Sequence, residues 1–392
     1  MEKSSIITEF ISGILISFVM IPESIAFAYL LDLPASVGIQ SAMVMSFITS
    51  ILGTPALISG ATASVATSLL GVSYYAGKEY IPLTVVLGGV IQWLMGITGL
   101  YKHIKELPPS VNSGFLLALA VLIATSQINN LKDSNHHWFA TDKMFYTLFM
   151  VIIALFIIQF GYIILRLKNM NIKIPGGLVE IAILSMAAFF LHIPVETIAD
   201  KGKLTHSLPE PQNPLPQKMD MMSIMKIIPF AISMAVAGLI ESIIMVERVN
   251  DIHKENYDGF REVMVQGLAN IVSGCTGGIG GCVLVGESMM NLENGSSSRI
   301  SSITASINFI LCNLFLSSYI ELISLPAIIA IMLHIVYLTG DWNSIAINSK
   351  NMKQKIFDKS WLTTVVTAGT GIVSNNLTFG VLSGYLFDRF MV

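Results

Sequence analysis

Apolar residues fall in long blocks along this chain, many of them near the roughly twenty residues that cross a bilayer as helix. Short polar or glycine-rich stretches separate them. The blocks predict fourteen spans, near 8–30, 36–53, 61–76, 82–101, 111–128, 144–166, 176–192, 224–246, 262–274, 282–293, 300–320, 324–338, 361–374 and 377–391. Several of these fall short of the ~20 residues a full crossing needs, and four of them are 61–76, 262–274, 282–293 and 361–374. Two of the four open directly after a glycine-rich turn.

The stretch from Gly274 to Asn294, GCTGGIGGCVLVGESMMNLEN, contains Gly274, Gly277, Gly278, Gly280 and Gly281 close together. Each glycine costs a helix about 1 kcal/mol relative to alanine. An extended or broken entry is therefore predicted, with the helix beginning near Cys282. A helix that starts part-way through a bilayer leaves its first N–H groups unpaired and turns its positive dipole end into the protein, a ready site for an anion. Irregular backbone survives at that depth only when packed in protein or lining a wet cavity, so broken helices mark binding sites in transporters.

Composition removes the soluble alternatives. The chain is 53% hydrophobic and 12% charged with a mean hydropathy of +0.71, against a charged share of about a quarter in water-soluble domains. It reads as an all-α polytopic membrane protein embedded in a lipid bilayer, with short strands before the two broken helices. A net charge of −3 gives no ground for a nucleic-acid partner. Cys275, Cys282 and Cys312 lie in apolar segments without metal-ligand spacing and read as small buried hydrophobes. The first apolar run has no small-residue cleavage site and is long enough to span, so it reads as a retained helix.

Charge placement orients the chain. With a cytoplasmic N-terminus, Lys78, Lys132, Lys143, Lys201, Lys203, Lys218 and Lys226 fall outside and the other Lys and Arg, of 22 in all, fall inside, as the positive-inside rule requires. Both termini are then cytoplasmic, in the cell (inner) membrane. The longest polar connection, His192 to Asp220, contains PEPQNPLP and reads as an extended outer linker without chemistry. The boundaries predicted are 1–195 for a first half, 196–222 for the linker and 223–392 for a second half. The halves echo each other. IPES (Ile21 to Ser24) and then GTPALISG (Gly53 to Gly60) recur as LIES (Leu239 to Ser242) and then GCTGGIGG (Gly274 to Gly281). Seven spans per half is odd, so the second copy is inverted in the membrane, and two half-helix N-termini face each other near the midplane.

Glu23, Glu241, Glu287 and, close to a span end, Glu321 lie at or near bilayer depth. An ionised carboxylate in a spanning helix costs on the order of 3 kcal/mol on insertion scales, so each needs a reason. Interfacial solvation accounts for Glu321. Bonding to nearby N–H and hydroxyl groups is the structural alternative for the other three, which as coupling residues would carry protons or help hold a cation. Ser59, Gly60, Ala61, Thr62 and Ser64 offer donors at the first break, and Gly281, Cys282, Val283 and Ser288 at the second. A hydroxyl in a membrane helix can equally bond back to the preceding turn. His136, His137, His192 and His334 lack ligand spacing or lie in loops, Met219 to Met225 is apolar filling at a helix entrance, and Asn376 suits a cap for the last helix.

These segments together, IPESIAFAYLLDLPASVGIQSA, GTPALISGATASVATSLLG, GLIES and QGLANIVSGCTGGIGGCVLVGESMMN followed by GSSSRIS, resemble the SulP/SLC26 anion transporter family, in particular its bacterial branch with Glu on the first helix. The resemblance covers essentially the whole membrane domain. It implies a fourteen-span, seven-plus-seven inverted repeat divided into core and gate domains that move relative to each other, usually in a homodimer. The substrate then lies between the N-termini of the third and tenth spans. Glu23 becomes the proton-coupling carboxylate, and Glu241 the eighth-span carboxylate that helps hold the cation in sodium-coupled relatives. Three features depart from the family pattern. No STAS domain follows the last span; Met245 stands where sodium-coupled relatives carry a hydroxyl; and Glu287 stands where several animal members have Arg.

The expected activity is proton-coupled secondary transport of a small anion (sulfate, bicarbonate or a dicarboxylate) by alternating access, with no cofactor. Sodium is the alternative coupling ion. A passive anion channel or exchanger and a nucleobase permease of the same fold remain open. An enzyme is disfavoured, since no HExxH, GxSxG or paired Asp on facing spans assembles a nucleophile with its base.

Overall fold

The computed structural model describes residues 5–132, 137–164, 176–217, 220–342 and 359–390. His136, Met219 and several of the basic residues used for orientation (Lys3, Arg166, Lys168, Lys173, Lys218, Lys350, Lys353 and Lys355) lie outside these. The described chain is helical: α1 (Ile6–Leu30), α2 (Ala35–Leu52), α3 (Ala63–Tyr75), α4 (Ile81–Ile97), α5 (Pro109–Ser126), α6 (Thr141–Ile164), α7 (Gly176–Phe190), α8 (Ile198–Lys201), α9 (Met221–His253), α10 (Gly259–Cys275), α11 (Val285–Glu293), α12 (Arg299–Ile320), α13 (Leu325–Thr339), α14 (Lys359–Ser374) and α15 (Leu377–Phe390). Two strands, β1 (Ser59–Gly60) and β2 (Cys282–Val283), precede α3 and α11. Seven helical stretches among the described residues are each long and apolar enough to cross a membrane unaided.

Proline sets several starts, standing at the first positions of α4, α5 and α13, where its missing N–H removes no helical bond. Hydroxyls inside the helices turn back on their own chain, as Ser24 Oγ does to Met20 O, Thr67 Oγ1 to Ala63 O and Ser68 Oγ to Ser64 O. That satisfies polar groups without water, as a bilayer interior demands. Small residues bring backbones together: a Cβ on Gly89 of α4 would run into Gly267 O of α10, the small-residue contact that stands in for apolar burial between membrane helices.

The helices form two groups. α1–α4 pack with α9–α12, and α5–α7 pack with α13–α15, while α1 against α13, α3 against α5 and α9 against α15 join them.

Five expectations are corrected. The helix after the second break begins at Val285 and not near Cys282, because β2 occupies Cys282–Val283. α3 likewise begins at Ala63, two residues after the predicted edge. Gly274 sits within α10, so the break itself starts past Cys275. α9 runs on to His253, beyond the predicted 246; a change to polar composition marks where apolar packing ends, while the helix stops only where Lys254 turns left-handed (φ 58°). The outer linker is extended only in part, since α8 is a capped turn of helix closed by Thr197 and Asp200.

Candidate functional site

The two breaks meet. β1 and β2 pair antiparallel, with Ser59 opposite Val283 and Gly60 opposite Cys282. Leu284 N–H extends the pairing by donating to Ile58 O (2.8 Å). Ser288 Oγ clasps the same residue, accepting from Ile58 N–H (3.0 Å) and donating to Ile58 O (3.2 Å). Glycine is needed at two points: Gly280 has φ +68°, and a Cβ on Gly281 would collide with Gly60 O.

α10 presents a polar stripe to this crossing. Glu262, Gln266, Asn270 and Ser273 are all buried and spaced to share one helix face. Glu262 Oε2 accepts from Thr54 N–H (2.7 Å), and Gln266 Nε2 donates to Ser59 Oγ and to Glu262 Oε1 (both 2.9 Å). Asn270 Oδ1 accepts from Gly281 N–H (2.9 Å), while its Nδ2 donates to Gly281 O (3.0 Å) and Gln92 Oε1 (2.9 Å). Ser273 Oγ accepts from Gly280 N–H (3.2 Å). These side chains hold irregular backbone at membrane depth in place of water, and none had been singled out. The signal was available, since polar residues at positions 262, 266, 270 and 273 of an apolar segment mark one face.

Several predicted residues converge. Glu241 Oε2 accepts from Ser64 Oγ (2.9 Å) and Cys282 Sγ (3.0 Å). Thr62 Oγ1 lies 3.2 Å from Cys282 Sγ and 3.4 Å from Ser64 Oγ. Cys282 is therefore a working hydrogen-bond donor and not merely the buried hydrophobe expected. Ser64, the second residue of α3, spends its hydroxyl on Glu241 and not on its own helix. Other predicted donors are already engaged: Gly281 N–H by Asn270, and Val283 N–H by Ser242 Oγ (3.5 Å). Gly60 and Ala61 are buried beside them. The N–H groups without a helical acceptor lie in the first turns, Ala63 to Val65 and Val285 to Glu287. Val285 is 40% exposed and no atom stands within 4 Å of a Cβ placed on Gly286, so the α11 end borders open space.

The acids cross between halves. Glu241 of α9 serves the first turn of α3, while α1, which carries Glu23, packs against α11, whose first turn holds Glu287. Met245, one turn after Glu241, is buried with Leu57, Val283 and Leu292. Glu321 Oε1 accepts from Leu204 N–H (2.7 Å) at the end of α12, and Asn376 Oδ1 caps α15 through Thr378 and Phe379 N–H. His192 has positive φ in the turn after α7, and His334 stacks on Tyr337. Two further buried acids escaped the sequence reading. Glu9 accepts from the N–H groups of Ser297 and Ser298, and Glu180 of α7 has no hydrogen-bond partner for either oxygen among the described residues.

The sulfate permease family model matches residues 6–354. A putative sulfate transporter of Bacillus subtilis, YbaR, is 30% identical over 97% of this chain and 75% of its own length. Among solved structures, the transmembrane domain of a cyanobacterial bicarbonate transporter, BicA, superposes with a TM-score of 0.76 at 17% identity, covering 96% of each chain. The murine anion transporter Slc26a9 in its inward-facing state gives 0.79 at 15% identity, covering 99% of this chain and 68% of that one.

Proposed function

Since the chain belongs to the sulfate permease family of anion transporters, we propose that it moves a small oxyanion or carboxylate inward with protons, by alternating access. The observation that carries this reading is the antiparallel contact of the two breaks, Ser59 with Val283 and Gly60 with Cys282. It sets the starts of α3 and α11 side by side, and two positive helix ends attract a single anion more strongly than either would alone. The substrate lies between these first turns, with Ser64, Thr62 and Cys282 supplying side-chain donors.

Glu23, Glu241 and Glu287 couple the anion to protons. Ionised, they oppose its entry; protonated, they do not, so anion and proton arrive together. Met245 brings no oxygen to the position one turn after Glu241, which favours the proton over sodium. The α1–α4 and α9–α12 group acts as the core, moving against the gate formed by α5–α7 and α13–α15, and the two halves are inverted copies. The working unit is a homodimer in the inner membrane with cytoplasmic termini.

Proteoliposome uptake tests this. An inward proton gradient should drive accumulation of sulfate, bicarbonate or a dicarboxylate above the external concentration, and Glu23→Gln should abolish the acceleration. Uptake of all three that ignores the gradient overturns the coupling. Single-channel steps without accumulation identify a passive channel instead.

A further inference from the structure

α7 opens on Gly176 and Gly177, and both let neighbouring helices come close. A Cβ on Gly176 would strike Ile158 O of α6, and one on Gly177 would touch the Ile331 side chain of α13. One turn further on, Glu180 continues the helix face that also buries Leu184 and Ala188. It is 0% exposed, and neither carboxyl oxygen has a hydrogen-bond partner among the described residues. One turn from Ile158 and Ile331 on their own helices stand Ala154 and Ile328, both fully buried and apolar. α1 of the core group packs against both α7 and α13, so this seam lies where the two helix groups meet. Ionisable groups on the surrounding helices are placed elsewhere, and none bonds to Glu180. On α6, Asp142 is in the first turn, Lys143 bonds Glu196 (2.8 Å) and Tyr146 is exposed. On α13, His334 stacks on Tyr337. On α1, Glu9 receives Ser297 and Ser298, Glu23 follows Pro22, and Tyr29 stands one residue before the helix end.

A dry seam does not hold an ionised carboxylate that has neither a hydrogen bond nor a cation beside it, whereas it tolerates the neutral acid. Glu180 therefore carries its proton in this conformation, and it can give that proton up only where water reaches it. We propose that Glu180 is a second proton-binding site, set in the gate and separate from the acids beside the two breaks, loaded while α1 covers the seam and unloaded when the core group slides off it. One O–H bond breaks and the proton passes to water; the return step reverses this, and no other bond changes. Protonation thus favours the covered arrangement and ionisation the opened one, so pH sets the balance between the two. The proposal rests on the alternating-access reading, which supplies the sliding.

Infrared spectroscopy of the lipid-reconstituted protein at neutral pH tests this, with uptake measured on the same preparations. The parent should show a carboxylic-acid carbonyl band at the high-frequency edge, where an acid free of hydrogen bonds absorbs. Glu180→Gln should remove that band and Glu241→Gln should leave it. Its absence from the parent, or its survival in Glu180→Gln, overturns the site. Should the glutamine variant fail to fold, Glu180→Leu serves, since an apolar side chain of similar size relieves an unpartnered polar group; it should lose the band and melt at or above the parent. Opening is read from the rate at which the band shifts in heavy water. Ser233→Cys on α9 paired with Thr378→Cys on α15, where Thr378 N–H lies 3.3 Å from Ser233 Oγ, ties core to gate when oxidised and should slow the shift about tenfold or more, with recovery in reductant. A crosslink that stops uptake but leaves the shift unslowed overturns the opening while the transport reading stands. The band with its crosslink-sensitive shift, but without proton-driven uptake, defeats the coupling reading and leaves the Glu180 site standing.

Discussion

At the residue scale, Cys282 is the side chain on which the first turn of α3, the second break and α9 converge, through Ser64, Thr62 and Glu241. A hydrogen bond to a charged acceptor contributes about 1.5–3 kcal/mol, and 1.4 kcal/mol is a factor of ten. Cys282→Ala should therefore lower kcat/KM for anion uptake by about tenfold or more, while Cys282→Ser, which keeps a donor, should stay within about threefold of the parent. Initial-rate uptake into proteoliposomes measures both. Gly281→Ala presses a methyl into Gly60 O and should cost about 2 kcal/mol or more, seen as a lower Tm in detergent. Sequence alone singled out Glu23, Glu241 and Glu287, because charge in an apolar run is costly wherever it folds. Their partners were not legible. The bond from Ser64 to Glu241 and the packing of α1 on α11 depend on how helices of the two halves come together, and spacing along one chain carries no record of that.

At the scale of elements, the two strands are held by α10. Asn270→Leu would leave Gly281 N–H, Gly281 O and Gln92 Oε1 without this partner, and each orphaned buried group costs about 1–3 kcal/mol. The variant should melt well below the parent, whereas Ile271→Val, a single methylene lost, should cost only about 1 kcal/mol. The start of α9 offers a pH test. Asp220 accepts from Met222 and Ser223 N–H and from Ser223 Oγ. The Ser223 side chain first, then the Met222 N–H, hold its carboxyl below the ordinary Asp range. A depressed acid stabilises the fold above its unfolded value, and that contribution fades as pH falls through the folded value. The Tm difference between parent and Asp220→Ala should thus be present at neutral pH and close below the ordinary Asp range. A difference that persists unchanged there contradicts the cap. Span positions were legible in the apolar blocks and the breaks in their glycines, but the first residue of α11 was not. Cys282 pairs with Gly60 of β1 and Val283 gives its N–H to Ser242, partners far away in sequence, and local propensity does not register them.

At the scale of the whole molecule, two helix groups meet along α9 and α15, where Thr378 N–H donates to Ser233 Oγ (3.3 Å). If these groups shift during the cycle, oxidation of Ser233→Cys paired with Thr378→Cys should stop uptake, and reductant should restore it. A crosslinked protein that transports at the parent rate would rule out motion at this contact. The grouping itself was legible only through family resemblance, because helix order along the chain does not say which helices pack together.

The central claim is that the start of α11 receives an anion. Val285 tests it most directly, being 40% exposed at the open end of that helix, where a charge can be added with little disturbance to packing. Equilibrium binding of labelled sulfate and bicarbonate to the purified protein should be lost in Val285→Glu and retained or tightened in Val285→Lys. Equal binding by both variants and the parent would contradict the account.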